Sequence, residues 1–206
     1  MKVLLLNGSP NEFGSTWTAL KEVERALNGE GIETEIFQIG KKPIAGCIAC
    51  RKCYDNSGKC AFGDLVNVFL EKAAQSDGFV FGSPVYYSGI NGSLKSFLDR
   101  VFYAGRCFQY KPSAAIVAVR RAGATAALDQ MHKYFMLSKM PLISSHYWNM
   151  AYGMDGNEVK QDLEGMQTIF VLGQQMAWIL KCIESAKKSG INPPQSLPRQ
   201  RMNFIR

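Results

Sequence analysis

The stretch KVLLLNGSPNEFGST, residues 2 to 16, decides the fold. Lys2 to Leu6 is a short apolar run with a turn signal behind it, which suits a strand covered on both faces. The Asn-Gly-Ser-Pro sequence stops it. From Ser15 the period changes: Leu20, Val23 and Leu27 recur at steps of three and four, and Gly29 and Gly31 end the run. A buried strand, a loop of small residues and an amphipathic helix follow one another.

The same alternation continues along the chain. ETEIFQI from Glu33 is β-like, and Asp64 is placed to cap a helix carrying Leu65, Val68, Phe69 and Ala73. GFVFGSP (78–84) reads as a second buried strand, followed by a helix over about 91–104 with Leu94, Phe97, Leu98 and Val101 on one face. AAIVAV (114–119) is a third core strand, 123–137 a helix, PLISSHYW from Pro141 a last strand, and 162–188 a long final helix. Five alternations imply parallel strands, right-handed crossovers and helices on both faces of an α/β sheet. The domain is expected to span residues 1–188, with an irregular tail over 189–206 containing Pro193, Pro194 and Pro198.

At 206 residues the chain is the size of one domain, and 47% hydrophobic residues supply a core without disulfide staples. The apolar stretch at Val3–Leu6 is too short for a secretory h-region, and no run approaches the roughly 18 residues of a membrane helix. A cytoplasmic protein with reduced thiols is expected, in which clustered cysteines more often bind metal than pair. The net charge of +7 comes from cations scattered singly or in pairs. That argues against a nucleic-acid face, which would cluster them. A phosphorylated cofactor and an anionic metal cluster would draw on the same charge; a merely solvated surface is the plainer reading.

Loops at the carboxyl ends of parallel strands build ligand sites. In the first, Asn7 to Thr16, a helix start offers free N–H groups to a phosphate, and Ser9, Ser15 and Thr16 add hydroxyls. It matches neither GxxxxGK[ST] nor GxGxxG, which disfavours nucleotide hydrolysis and a dinucleotide fingerprint. A tight turn with a serine cap is the bland alternative. In the loop SPVYYSGINGSLKSFLDR (83–100), Pro84 stiffens the exit, Tyr86 and Tyr87 offer aromatic faces, and Gly89 and Gly92 admit a flat ligand to backbone. Either tyrosine could instead cover a core edge. RRAGAT (120–125) makes a third small-residue loop on the same rim.

Together, KVLLLNGSPNEFGST and GSPVYYSGINGSLKSFLDR resemble the flavodoxin-like NADPH-dependent FMN reductases, over Met1 to about Lys188. The cysteine insert narrows the resemblance to the iron–sulfur flavoproteins of that superfamily. The resemblance implies a three-layer sandwich whose five-stranded parallel sheet has the order 2-1-3-4-5. It implies FMN phosphate contacts from Ser9, Asn11, Ser15 and Thr16, and ring contacts from Pro84, Val85, Tyr86, Tyr87, Ser88 and Gly89. Less directly, it places Arg121, Gly123 and Ala124 beside the ring or ribityl chain. It also implies a homodimer or homotetramer with the flavin near a subunit boundary.

GCIACRKCYDNSGKC (46–60) holds Cys47, Cys50, Cys53 and Cys60. The C-x2-C-x2-C run is a form that iron–sulfur clusters use, and it lacks the two separated pairs of a zinc ribbon. Cys60 can fold back through Gly58 to supply a fourth ligand to a 4Fe–4S cluster. Structural zinc and an unmetallated thiol group remain alternatives. Following the second strand, the segment is expected on the flavin rim. Cys107 and Cys182 read as buried small hydrophobes, His132 as surface or interhelical, and His146 as structural, with a reach to the flavin rim as its alternative. No paired carboxylates or Ser-His-Asp set stands out, which suits chemistry carried by a cofactor. The resulting expectation is an FMN-dependent oxidoreductase with NAD(P)H as co-substrate, passing electrons to a flavin, a quinone or a small redox protein. A non-enzymatic flavin/iron–sulfur electron carrier is the rival, and a zinc-stabilised nucleic-acid binder a distant third. No membrane or nucleic-acid partner is expected.

Overall fold

Val3 to Leu6 are fully buried in β1 (Lys2–Asn7), the centre from which the sheet grows. The structure is a computed structural model and describes residues 1–195, 197, 198 and 200. β1 lies between β2 (Glu33–Gln38) and β3 (Gly78–Tyr86). Beyond β3 come β5 (Ser113–Val119) and β6 (Met150–Tyr152), every pair parallel. Counted among these five strands, the order is 2-1-3-4-5. One short addition, β4 (Gly89–Ile90), folds back antiparallel on the end of β3.

Alternate residues of β1 face opposite layers. Val3 and Leu5, with Val80 and Ile116, meet α1 (Ser15–Gly29) and α7 (Leu163–Lys188) through Leu20, Val23, Leu172 and Met176. Leu4 and Leu6, with Phe79 and Phe81, meet α3 (Leu65–Ala74), α4 (Gly92–Ala104) and α5 (Ala124–Leu137) through Phe69, Phe97 and Phe135. Each such fully buried side chain is worth about 1.5–3 kcal/mol of transfer free energy. Two single-turn helices, α2 (Lys52–Asp55) and α6 (Gly156–Val159), complete the set.

Three expectations need correction. The last strand is Met150–Tyr152, which pairs with Val117–Val119; within PLISSHYW only Leu142 makes a bridge, to Ser113. Asn149 explains the placement. Its carbonyl accepts from Val117 N–H and its Nδ2 donates to Ala115 O, registering the chain just ahead of Met150. Val68 is exposed, because α3 buries Val66, Phe69, Leu70 and Ala73 instead. Cys182 is exposed on α7 rather than buried, and Cys107 is half-buried. After Lys188, residues 189–195 carry no helix or strand, and the expected tail beyond them lies largely outside the described residues. Among the described residues no helix is long and apolar enough to cross a membrane.

On β2, Glu35 lies between Lys2 Nζ at 2.8 Å and Lys72 Nζ at 2.6 Å, and hydrogen bonds from Lys2 and then Lys72 hold its carboxyl below the usual range. A depressed folded value means that the pair stabilises above the unfolded pKa, about 4.3, and loses that contribution as pH falls through the folded one. Glu35→Gln should therefore cost about 0.5–1 kcal/mol at pH 6, roughly 1–4 °C in Tm. In thermal melts the gap to the unsubstituted chain should narrow as pH falls below about 4.3. A gap that stays constant as the carboxylate is protonated would show that its charge is not the source.

Candidate functional site

The loop after β1 is built by its own side chains. Gly8 N–H donates to Gly82 O (2.8 Å), tying it to β3, and a Cβ at Gly8 would lie 2.6 Å from that oxygen. Ser9 N–H donates to Asn7 Oδ1 and Asn11 N–H to Ser9 Oγ, both at 3.1 Å, while Asn7 Nδ2 donates to the carbonyls of Asn11 and Glu12. Ser9 and Asn7 thus shape the turn, and exposed Asn11 rides on it.

Helix α1 then starts without a side-chain cap at Gly14, and Thr18 N–H is the one that returns to Gly14 O. The N–H groups of Ser15, Thr16 and Trp17 precede the helical ladder and face outward along the axis. Ser15 is half-buried there. Thr16 Oγ1 is buried and has no hydrogen-bond partner. An unpaired buried hydroxyl costs about 1–3 kcal/mol, which a hydrogen bond to a bound anion's oxygen would offset. The FMN phosphate fits this helix start. Lys41 lines the adjoining groove with Asn11 and Gln38 and adds a positive charge.

β3 ends in a two-residue hairpin in which Val85 pairs with Ile90 and Tyr86 with Gly89. Tyr87 and Ser88 form its turn at φ +49° and +58°. Turns of this kind favour Asn and Gly, so a Tyr and a Ser there cost about 1–2 kcal/mol each, strain of the sort retained at ligand sites. Tyr86, Tyr87 and Ser88 are exposed, while Pro84 and Val85 are half-buried. Ser83 Oγ accepts from Asn91 N–H (3.2 Å) and donates to Pro84 O (2.8 Å), closing the hairpin's base. Gly89 does not open backbone to a ligand as expected. It is buried beneath Gln130, whose Oε1 accepts from Ile90 N–H at 3.1 Å.

The third loop meets this hairpin at Gly123. With φ at +90°, Gly123 caps α5, and a Cβ there would sit 2.7 Å from Ser88 Cα. Arg121, Gly123 and Ala124 line one wall of a cleft of about 380 Å3, a size suited to a small organic ligand. The same cleft is lined by three aromatic residues that sequence reasoning missed: Tyr147 and Trp148, edge to face at 4.8 Å, and Tyr152. Their signal is three aromatic residues within six positions, two of which fall in the expected strand from Pro141. His146 Nε2 lies 3.2 Å from Thr168 Oγ1, a structural pairing.

All four clustered cysteines line one apolar cavity with Ile48, Phe62, Arg100 and Tyr103. Gly58, at φ +84°, makes the return turn toward Cys60, and its N–H bonds to Cys53 O at 3.0 Å. The cavity does not sit on the rim formed by the three loops. Ala45 O accepts from Arg100 Nη1, and the cysteines pack against Arg100–Ala104 in the second half of α4. At 1.5 Å per residue this is roughly 12–18 Å of helix from the start of α4 at the rim. Cys53 is buried and its thiol pushed up by that burial; Cys47 and Cys50 are exposed. Among the described residues no three Cys, His, Asp or Glu side chains converge on one metal ion. Four thiols lining one cavity are the donor set that a 4Fe–4S cubane, with one thiolate on each iron, would take.

Residues 1–155 match the family model described as NADPH-dependent FMN reductase. An iron–sulfur flavoprotein of Methanocaldococcus jannaschii is 32% identical, covering 89% of this chain and 100% of that one. A second, from Clostridioides difficile, is 28% identical over 100% of this chain and 87% of its own length. Among solved structures, RosB with bound 8-demethyl-8-formylriboflavin-5'-phosphate shares the fold at a TM-score of 0.69 and 16% identity, covering 100% of this chain and 92% of that one. The chain is a flavin-dependent oxidoreductase that belongs to the NADPH-dependent FMN reductase family, in its iron–sulfur flavoprotein branch.

Proposed function

We propose that the protein takes hydride from NADH or NADPH and delivers electrons to a flavin, a quinone or a small redox protein, using FMN and a 4Fe–4S cluster. FMN supplies the chemistry that joins a two-electron donor to one- or two-electron acceptors. The chain's own residues bind and orient. The start of α1, with Ser9, Asn11, Ser15 and Thr16, would hold the phosphate; residues 84–88 with Arg121, Gly123 and Ala124 would hold the ring; and Cys47, Cys50, Cys53 and Cys60 would hold the cluster. The unpaired Thr16 hydroxyl at an uncapped helix start is the observation that carries the flavin reading.

The aromatic wall of Tyr147, Trp148 and Tyr152 beside Arg121 supports an enzyme over a bare carrier, because it offers a planar second substrate a place to stack. Self-association as a dimer or tetramer belongs to the same reading. Protein isolated without oxygen is expected to show flavin bands over a broad brown absorbance, with iron and sulfide in equal amounts. Anaerobic NADPH should bleach the 450 nm band within the mixing time of a turnover assay. Colourless protein that takes up no FMN sinks the proposal, and coloured protein indifferent to both nicotinamides leaves the carrier.

A further inference from the structure

Arg100 is 1% exposed, the largest fully buried side chain among the described residues. Every one of its five N–H groups is used. Nη1 donates to Ala45 O (3.3 Å) and Asp64 Oδ2 (2.8 Å), Nη2 to Asp64 Oδ1 (2.6 Å) and Cys60 Sγ (3.3 Å), and Nε to the same Sγ (3.3 Å). Phe62 covers the guanidinium face, its ring centroid 4.5 Å away. The backbone of Cys60 is fixed separately: Asn67 Oδ1 accepts from its N–H (2.7 Å) and Asn67 Nδ2 donates to its carbonyl (2.9 Å).

A neutral thiol is a weak acceptor, and two donors from a buried cation are far more than it can use. An anionic or iron-bound sulfur is the group that such a fork suits. The other three cysteines lack this treatment in the bonds described, and Cys47 and Cys50 stand exposed. Hydrogen bonds to ligating sulfur favour the reduced, more negative state of an iron–sulfur centre and raise its potential.

We propose that Arg100 is a positioning residue for the cluster: it aims two N–H donors at Cys60 Sγ, fixes that ligand before iron arrives, and raises the potential of the centre that Cys60 holds. Asp64 and Asn67 complete the mount. The proposal rests on the cluster reading above.

Removing Arg100 alone would strand the Asp64 carboxylate, so the test substitutes both at once. Arg100→Met with Asp64→Asn leaves net charge unchanged, keeps a good cap on α3 and removes both donors to Cys60 Sγ. In full-length protein reconstituted anaerobically with iron and sulfide, one FMN per chain reports the fold. The double variant should keep its flavin and show a lower cluster potential in EPR-monitored redox titration, while Arg100→Lys, which cannot fork, falls between. An unchanged potential in the flavin-bearing double variant overturns the inference. As an independent arm that needs no variant, protein labelled with 15N-arginine should show 15N coupling to the reduced centre in pulsed EPR, and its absence equally overturns the inference. If the unsubstituted chain takes up no iron, it is the cluster reading that has failed.

Discussion

Gly123→Ala is expected to destabilise the protein by about 2–5 kcal/mol, from roughly 1–2 for a Cβ at positive φ and roughly 1–3 for overpacking. The second part is specific to this position. The new methyl group would sit 2.7 Å from Ser88 Cα and 2.7 Å from Ser88 Oγ, and Ser88 lies in a turn already held at φ +58°. Relief must come from moving the hairpin 84–90 away from the start of α5, by something like an ångström. That separates the two loops proposed to hold the flavin ring. Losing two or three hydrogen bonds to the ring would cost about 3 kcal/mol, on the order of 100-fold in FMN affinity. Gly31→Ala is the control, because its φ is +75° and a Cβ there meets nothing within 4 Å. Chemical denaturation and fluorescence titration with FMN should show Gly31→Ala paying only the backbone cost and keeping its flavin. Equal losses of affinity in both variants would show that the Gly123–Ser88 contact has no part in binding.

What the sequence reveals of this site depends on how local each cause is. The loop at Asn7–Thr16 and the helices that follow are legible because apolar period, caps and glycines act within a few residues of one another. The Asp64 cap on α3 is such a case: its Oδ1 accepts from Val66 N–H at 3.2 Å. β6 is harder to see. It is three residues long, and its register is set by Asn149 reaching Ala115, 34 positions away in the chain. The cysteines show both limits. Their spacing announces a shared role, but their place beside α4 rather than on the rim follows from Arg100 contacting Cys60, Asp64 and Ala45 at separations of 40, 36 and 55 residues. In one dimension Arg100 is simply the end of a helix face. Gly89 likewise looks like room for a ligand until Gln130, on α5, is found to occupy it.

Cys53→Ala carries the other large effect, and its value lies in what it should leave alone. Cys53, on α2, is buried in the same core cluster as residues of α3 and α4 and shares its cavity with the other three clustered thiols. A cubane that loses one of four thiolates exposes an iron to solvent and oxygen, so iron content should fall from about four per chain to essentially none rather than by a quarter. The protein itself should lose little, about 1 kcal/mol for so small a truncation in the core. FMN should stay bound, because the Thr16 helix start and the Gly123–Ser88 junction stand at the rim, a different part of the fold from the second half of α4. Cys182→Ala, on the exposed face of α7, should change neither cofactor. Elemental analysis and the flavin spectrum of the three proteins, prepared together without oxygen, separate the alternatives. A structural zinc would appear as zinc in the unsubstituted chain, and an unmetallated thiol group as no metal in any of them. If Cys53→Ala instead keeps its iron, or sheds iron and flavin together, then the four thiols do not form a cofactor site separate from the rim.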